Sequence, residues 1–191
     1  MLTVILAGGQ SRRMGRDKAM LPWGEETLLQ RLIDRYSVLG PVAVSVDRPG
    51  RFNFRGAMEL CDIWPGMGPV NGLVSAFSDT DAELIFLTAT DIPNGSASLA
   101  QRLSQLVSGH DACVILSGGE PEPVFAVYSR SCLAAAAENM QAGMRSFRQL
   151  FRRLDVKILT AADLPDFELP RLLMNMNTPD SFDAWRLENG M

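Results

Sequence analysis

A run of apolar, mainly β-branched residues, Thr3-Val4-Ile5-Leu6, stops at Ala7-Gly8-Gly9 and passes into Gln10-Ser11-Arg12-Arg13-Met14-Gly15-Arg16-Asp17-Lys18. No other stretch constrains the fold as much. The run has the length and the side chains of a strand buried on both faces. Its abrupt end in small and basic residues puts a loop at the strand's carboxyl end, which is where open α/β sheets bind their ligands. Strand one is therefore expected at the centre of a sheet, with the loop facing a crevice.

The rest of the chain continues the pattern. Leu28, Leu29, Leu32, Ile33 and Tyr36 recur at helical spacing, with Thr27 as a cap before them and Gly40 as a stop after them. Residues 42–46 read as a second strand and 57–60 as a weak third, and Leu73, Val74 and Phe77 share one face of a second helix. Leu84-Ile85-Phe86-Leu87 is another buried-strand run and ends in Thr88-Ala89-Thr90-Asp91-Ile92-Pro93, so an acid stands at its carboxyl end. Helix signals cover 96–107, and strands over 112–116 and 124–128 are joined through Gly118-Gly119. Helical stretches follow over about 130–140 and 145–154, then short strand candidates at 156–160 and 172–174. Thr178-Pro179 is expected to open a last helix reaching about Glu188. No repeat, linker or low-complexity segment divides residues 1–191, so the expectation is a single three-layer α/β/α domain with a mostly parallel, Rossmann-like sheet.

Composition removes several function classes. With 191 residues, 47% of them hydrophobic and 21% charged, the chain has enough contrast to bury one sizeable core. Its net charge of −4 gives a nucleic acid no general reason to bind. Cys61, Cys113 and Cys132 are odd in number and form no C-x-x-C pair, which points to a reducing cytoplasm rather than a secreted disulfide framework. The single histidine, His110, excludes a zinc site built on several imidazoles and leaves a Ser-His-Asp triad one residue to use. No apolar run approaches the ~20 residues that span a bilayer, and the first residues lack the basic flank of a signal peptide.

Charge is unevenly spread. Arg12, Arg13, Arg16 and Lys18 against Asp17 put +3 into the loop after strand one, so the remainder carries −7. Small residues let backbone N–H groups approach an anion, while Arg13 and Lys18 supply formal charge to its phosphates. Lys18 is one of only two lysines beside 16 arginines, and a compact ammonium suits a point contact to a crowded polyphosphate. The loop lacks the glycine spacing of a Walker A motif and no G-x-G-x-x-G occurs in it, so it belongs to another nucleotide-binding class.

Leu6-Ala-Gly-Gly-Gln-Ser-Arg-Arg-Met-Gly-Arg-Asp-Lys18 resembles the L-A-G-G-x-S-x-R-M-G-x-D-K signature of the MobA-type nucleotidyltransferases, the molybdenum cofactor guanylyltransferases. Asp62-Ile-Trp-Pro65-Gly66-Met-Gly68-Pro69-Val-Asn-Gly72 is similar to that family's D-x-x-P-G-x-G-P-L-x-G segment, Asp91-Ile-Pro93 to its D-x-P, and Asn175-Met-Asn177-Thr178-Pro179 to its N-x-N-T-P. Pro123 to Tyr128 is similar to the segment that follows the mid-chain hairpin, so the resemblance spans the chain.

The resemblance implies transfer of GMP from GTP to the phosphate of a molybdopterin cofactor. It puts Leu6, Ala7, Gly8, Gly9 and Gly15 along the nucleotide, Lys18 on its phosphates, Asp62 on the nucleoside and Asp91 on Mg²⁺, with Arg13 needed for activity. Arg145, Asn175 and Asn177 would face the molybdopterin, so that residues 1–95 serve mainly nucleotide and metal and 110–191 mainly the pterin. Transient contacts with proteins that deliver molybdopterin or mature molybdoenzymes would follow. Two positions depart from the pattern: Ser45 stands where Asn is common, at a nucleoside contact, and Thr90 where Cys is frequent. Trp23 and Trp64 flank the loops and are candidate stacking platforms for pterin or base.

Plainer roles stand beside these. Asp91 could cap the following helix, Asp62 could be a solvated loop acid, and Asn175 and Asn177 could satisfy their own turn. Competing functions are a cytidylyl- or sugar-1-phosphate nucleotidyltransferase on the same loop logic, and a non-catalytic carrier of the pterin.

Overall fold

The structure is a computed structural model that describes residues 1–8, 17–176, 181, 182 and 185. In chain order its elements are β1 (Leu2–Leu6), β2 (Pro22–Trp23), β3 (Glu26–Thr27), α1 (Leu28–Tyr36), β4 (Val42–Val46), β5 (Met58–Cys61), α2 (Pro69–Asp79) and β6 (Leu84–Ala89). They continue with α3 (Ala97–Leu106), β7 (Ala112–Ser117), β8 (Glu120–Ser129), α4 (Leu133–Gln141), α5 (Phe147–Phe151), β9 (Val156–Leu159) and α6 (Leu169–Leu172). Among the described residues, no helix is long and apolar enough to cross a membrane.

A seven-stranded sheet has the order β5-β4-β1-β6-β8-β7-β9. β1 is parallel to both β4 and β6, and β8 runs against its neighbours β6 and β7. Each strand of the parallel part alternates between two cores. Ile5, Val44 and Phe86 face the layer of α1 and α3, while Val4, Ala43, Ile85 and Leu87 face α2, α4 and α5. The three-layer, mostly parallel α/β architecture expected from the apolar runs is the one observed.

α1 shows why the local pattern is decisive. Thr27 Oγ1 accepts the Gln30 N–H at 3.2 Å and starts the helix. Leu28, Leu29, Leu32, Ile33 and Tyr36 then lie on one buried stripe, each aliphatic side chain contributing roughly 1.5–3 kcal/mol of burial.

Two readings need correction. β8 begins at Glu120, directly after the Gly118-Gly119 turn, rather than at 124. Pro121 pairs with Leu116 on β7, whereas pairing with β6 begins only at Ala126, so over this stretch Pro121 has no β6 partner that needs its missing N–H. Residues 172–174 do not form a strand. Pro170 sits in the first turn of α6, and Leu173 N–H closes onto Leu169 O at 2.9 Å, burying both leucines at helical spacing. The helix opening expected at Thr178-Pro179 lies outside the described residues, although Ser181, Phe182 and Trp185 are helical.

Candidate functional site

The crevice forms where the chain changes direction across the sheet. From β1 it passes outward to β4 and β5, then returns through α2 to β6 on the other side of β1. The carboxyl ends of β1 and β6 therefore carry loops that diverge, and Thr90 N–H donates to Leu6 O at 3.4 Å across the gap. Leu6 ends β1, Ala7 N–H donates to Ser45 O at 3.0 Å, and Gly8 opens the loop. A Cβ on Gly8 would lie 3.5 Å from Asp47 N and 3.6 Å from Asp62 Oδ2, so the backbone here runs close beside the ends of β4 and β5. Gly9, Arg13 and Gly15 lie outside the described residues.

The chain re-enters at Asp17, whose Oδ1 accepts Ala19 N–H at 3.2 Å and caps the short turn that carries Lys18. This turn brings Lys18 within electrostatic reach of Asp91. Burial pulls the Lys18 ammonium below the usual lysine range, and Asp91 opposes it. Burial likewise pushes the Asp91 carboxyl above the usual carboxylate range, opposed by Lys18. Each charge is thus held partly out of water beside its opposite, an arrangement common at sites that bind further charges. The Asp91 carbonyl accepts Met176 N–H at 2.8 Å, which ties the C-terminal segment to this loop.

Asp62 follows β5. Ser45 Oγ donates to its Oδ1 at 2.8 Å; burial still raises the carboxyl above its ordinary range, opposed by Ser45 and by the neighbouring Asn71 amide. Ser45 is 3% exposed, so its hydroxyl serves Asp62 from within the sheet rather than reaching into the crevice. Gly72 on α2 has a reason of its own: a Cβ there would collide with the Leu6 side chain and crowd Ser45 Oγ, which would push α2 off β1 and β4.

Toward the C-terminal segment, Asn175 is exposed and neighbours the carboxylate of Glu122, which accepts Val124 N–H at 2.9 Å. Arg145 is exposed between α4 and α5, and its carbonyl would lie 3.4 Å from a Cβ on Gly68, so it borders the Gly66–Gly68 loop. Asn177 lies outside the described residues. Trp23 is no open platform: its ring meets Trp185 edge-on at 4.7 Å and has Arg31 and Arg35 over it at 5.7 and 5.4 Å. Trp64, 37% exposed, projects from the loop after Asp62.

Three features escape the sequence reading. Glu122 belongs to the crevice because β8 overhangs the end of β6, and Asp91 adds to the rise of its pKa. Asn71 and Ser75, fully buried, accept the N–H groups of Trp64 and Ile63 at 3.2 and 3.0 Å and hold the Asp62 loop. Their signal was available, as a polar pair four residues apart on the otherwise apolar stripe of α2. The third is the pairing of Arg51 with Asp17 and Asp47.

Among the described residues no three His, Cys, Asp or Glu side chains gather into a metal-binding group. Asp91 alone fits a magnesium ion, which commonly takes one or two protein carboxylates and fills its remaining positions with water and substrate phosphate. A desolvated carboxylate whose charge a cation would complete supplies the donor chemistry required.

Residues 3–158 match the family described as the MobA-like NTP transferase domain. A probable molybdenum cofactor guanylyltransferase from Opitutus terrae is 31% identical over 191 residues, covering 95% of this chain and 93% of its own. The fold is that of molybdopterin-guanine dinucleotide biosynthesis protein A from Archaeoglobus fulgidus, with a TM-score of 0.85, 22% identity and all of both chains covered. A Mycobacterium tuberculosis protein solved in complex with manganese superposes with a TM-score of 0.59 at 16% identity, covering 83% of this chain and 86% of its own. A strand-end crevice lined by Lys18, Asp62 and Asp91 thus sits on a matching sequence and a matching fold, and the chain belongs to the MobA-like NTP transferase family.

Proposed function

We propose that this protein transfers GMP from GTP to the terminal phosphate of the molybdenum-molybdopterin cofactor, releasing pyrophosphate and forming the guanine dinucleotide cofactor. The observation that carries this reading is the juxtaposition of Lys18 and Asp91 across the β1/β6 crevice, within a chain whose curated relatives bear the name molybdenum cofactor guanylyltransferase.

The chemistry asks little of side chains as acids or bases. A phosphomonoester has its second pKa near ~6, so the attacking oxygen is already largely deprotonated at neutral pH. The new bond forms between that oxygen and the α-phosphorus, the bond from the α-phosphorus to the bridging oxygen breaks, and pyrophosphate leaves with the electron pair. The main barrier is repulsion between two polyanions, which charge and alignment relieve.

Lys18 supplies a cation whose hydration is already reduced by burial. Arg13 adds a second on the resemblance of its motif. Leu6, Ala7, Gly8, Gly9 and Gly15 give the nucleotide a close backbone approach. Asp62 accepts from the nucleoside while Ser45 keeps its carboxylate in place. Asp91 would hold Mg²⁺, which when bound neutralises phosphate charge; the manganese in one structural relative supports a divalent ion. Asn175, beside Glu122, together with Asn177 and Arg145, faces the pterin. On this reading residues 1–95 serve the nucleotide and 110–191 the acceptor. The enzyme works in the cytoplasm and meets the proteins that supply or receive the cofactor only transiently.

Pyrophosphate release from GTP, CTP, ATP and UTP, each with molybdopterin cofactor or mannose 1-phosphate and with or without Mg²⁺, tests the proposal. Mg²⁺-dependent release with GTP and the pterin alone is expected. Release only with CTP or only with the sugar phosphate would keep the transfer chemistry and replace the substrate, and no release from folded protein would leave a carrier.

A further inference from the structure

Arg51 lies in the turn after β4, outside every motif considered above, yet its guanidinium is placed between two acids from different parts of the chain. Its Nη2 donates to Asp17 Oδ2 at 2.7 Å and its Nη1 to Asp47 Oδ1 at 2.8 Å. The side chain is only 11% exposed and lies over the Phe52 ring at 4.9 Å. The turn it stands on is itself anchored, because Gly50 N–H donates to both Glu59 oxygens at 2.9 and 3.1 Å.

These contacts join the two ends of the glycine-rich loop. Asp47 N borders Gly8, where the loop begins, and Asp17 ends the loop and caps the turn of Lys18. The local charge also matters. Asp17 and Asp47 put two negative charges at the rim of a site meant for a triphosphate, and one guanidinium bonded to both offsets them; its planar fork reaches two carboxylates at once, as an ammonium on a flexible stem does not.

We propose that Arg51 is a positioning residue for the nucleotide, anchoring Asp17 and the Lys18 turn beside the end of β4 and masking the Asp17 and Asp47 carboxylates from the incoming phosphates. The inference rests on the nucleotide-binding reading of the loop. It does not depend on which base or acceptor is used.

The test is calorimetric binding of GTP, CTP, ATP and UTP with Mg²⁺ to the wild type, Arg51→Lys, Arg51→Met and Arg51→Met/Asp47→Asn, with a thermal melt on each. Arg51→Met is expected to weaken the nucleotide that binds by tenfold or more, and Arg51→Lys by about threefold. Adding Asp47→Asn to Arg51→Met should recover at least threefold, because it removes an unmasked charge; the loss should also shrink in 0.5 M KCl. A merely structural Arg51 gives neither the recovery nor the salt dependence. Affinity within twofold of wild type in folded Arg51→Met, or a double variant no better than the single one, overturns the proposal. Tight binding of a nucleotide other than GTP to the wild type would refute the guanine assignment and leave the Arg51 ratios to be read on that nucleotide. No binding of any nucleotide to the wild type would overturn both.

Discussion

At the carboxyl ends of β1, β5 and β6, and on the overhang of β8, Lys18, Asp62, Asp91 and Glu122 are all driven toward their neutral forms by burial, with partners that only partly oppose it. At the opposite rim the polar groups are bonded to one another. Asp111 accepts Ser131 Oγ–H and Asp155 N–H, His110 Nδ1 meets Asp155 Oδ2 at 3.0 Å, and Ser129 Oγ donates to His110 O at 2.7 Å. Arg130 donates to the carbonyls of Phe77, Thr80 and Ala82, closing the C-terminal end of α2. One rim holds desolvated charge that a charged ligand would complete, while the other has spent its charge on the fold. Substitutions should therefore separate: activity without stability at the first rim, stability without activity at the second.

The largest expected effect is at Asp91. Asp91→Ala should lower turnover by about 10³-fold with no loss of melting temperature, since the change removes a desolvated carboxylate. Pyrophosphate release and a thermal melt check both halves, and a loss under tenfold would break the contrast from the functional side.

Arg130→Ala tests the other side. Three carbonyls lose their donor and α2 loses its closure, so a destabilisation of about 2–3 kcal/mol in denaturant melts is expected, with turnover at permissive temperature within twofold. A selective loss of turnover there would merge the two rims.

Ser45→Ala should be smaller. Asp62 loses the Ser45 hydroxyl that orients it, and nucleotide affinity should fall about five- to tenfold, the net worth of a typical hydrogen bond. Unchanged affinity would mean that Asp62 needs no orienting.

The smallest effect marks where the active rim ends. Asp163 follows β9 at the same end of the sheet, but it is exposed, and the backbone and side chain of Thr160 hold its carboxyl below the usual carboxylate range. A depressed folded pKa stabilises the protein above the unfolded value and ceases to do so as pH falls through the folded one. Asp163→Ala should therefore lower the melting temperature slightly at neutral pH, and the difference should fade as pH drops below about 4. A pH-independent difference would show that the capping charge is immaterial.

Much of this was legible in the chain before any coordinates. The buried-strand runs at 3–6 and 84–87, the capped stripe of α1 and the basic loop each depend on neighbours within one element or one turn. Asp91 could be located because its strand ends just before it. The misses lie where local signals conflict with the packed sheet: Pro121 and Pro123 are poor strand formers inside β8, and an apolar triplet at 172–174 belongs to the end of α6 rather than to a strand. The supporting bonds of the site were out of reach. Ser45 and Asp62 are 17 positions apart, Arg51 and Asp17 34 apart, and Glu122 meets Asn175 only because one overhanging strand faces the C-terminal segment.

What the sequence by itself determined was the alternation of elements, the order in which they fill two cores, and the residue types at the strand ends, because periodicity, caps and glycine-rich turns act over a few residues. Only the tertiary structure decided which charges meet across the crevice and which are answered elsewhere. Burial and electrostatic pairing depend on distances that the packed sheet sets, and those distances have no trace in spacing along the chain.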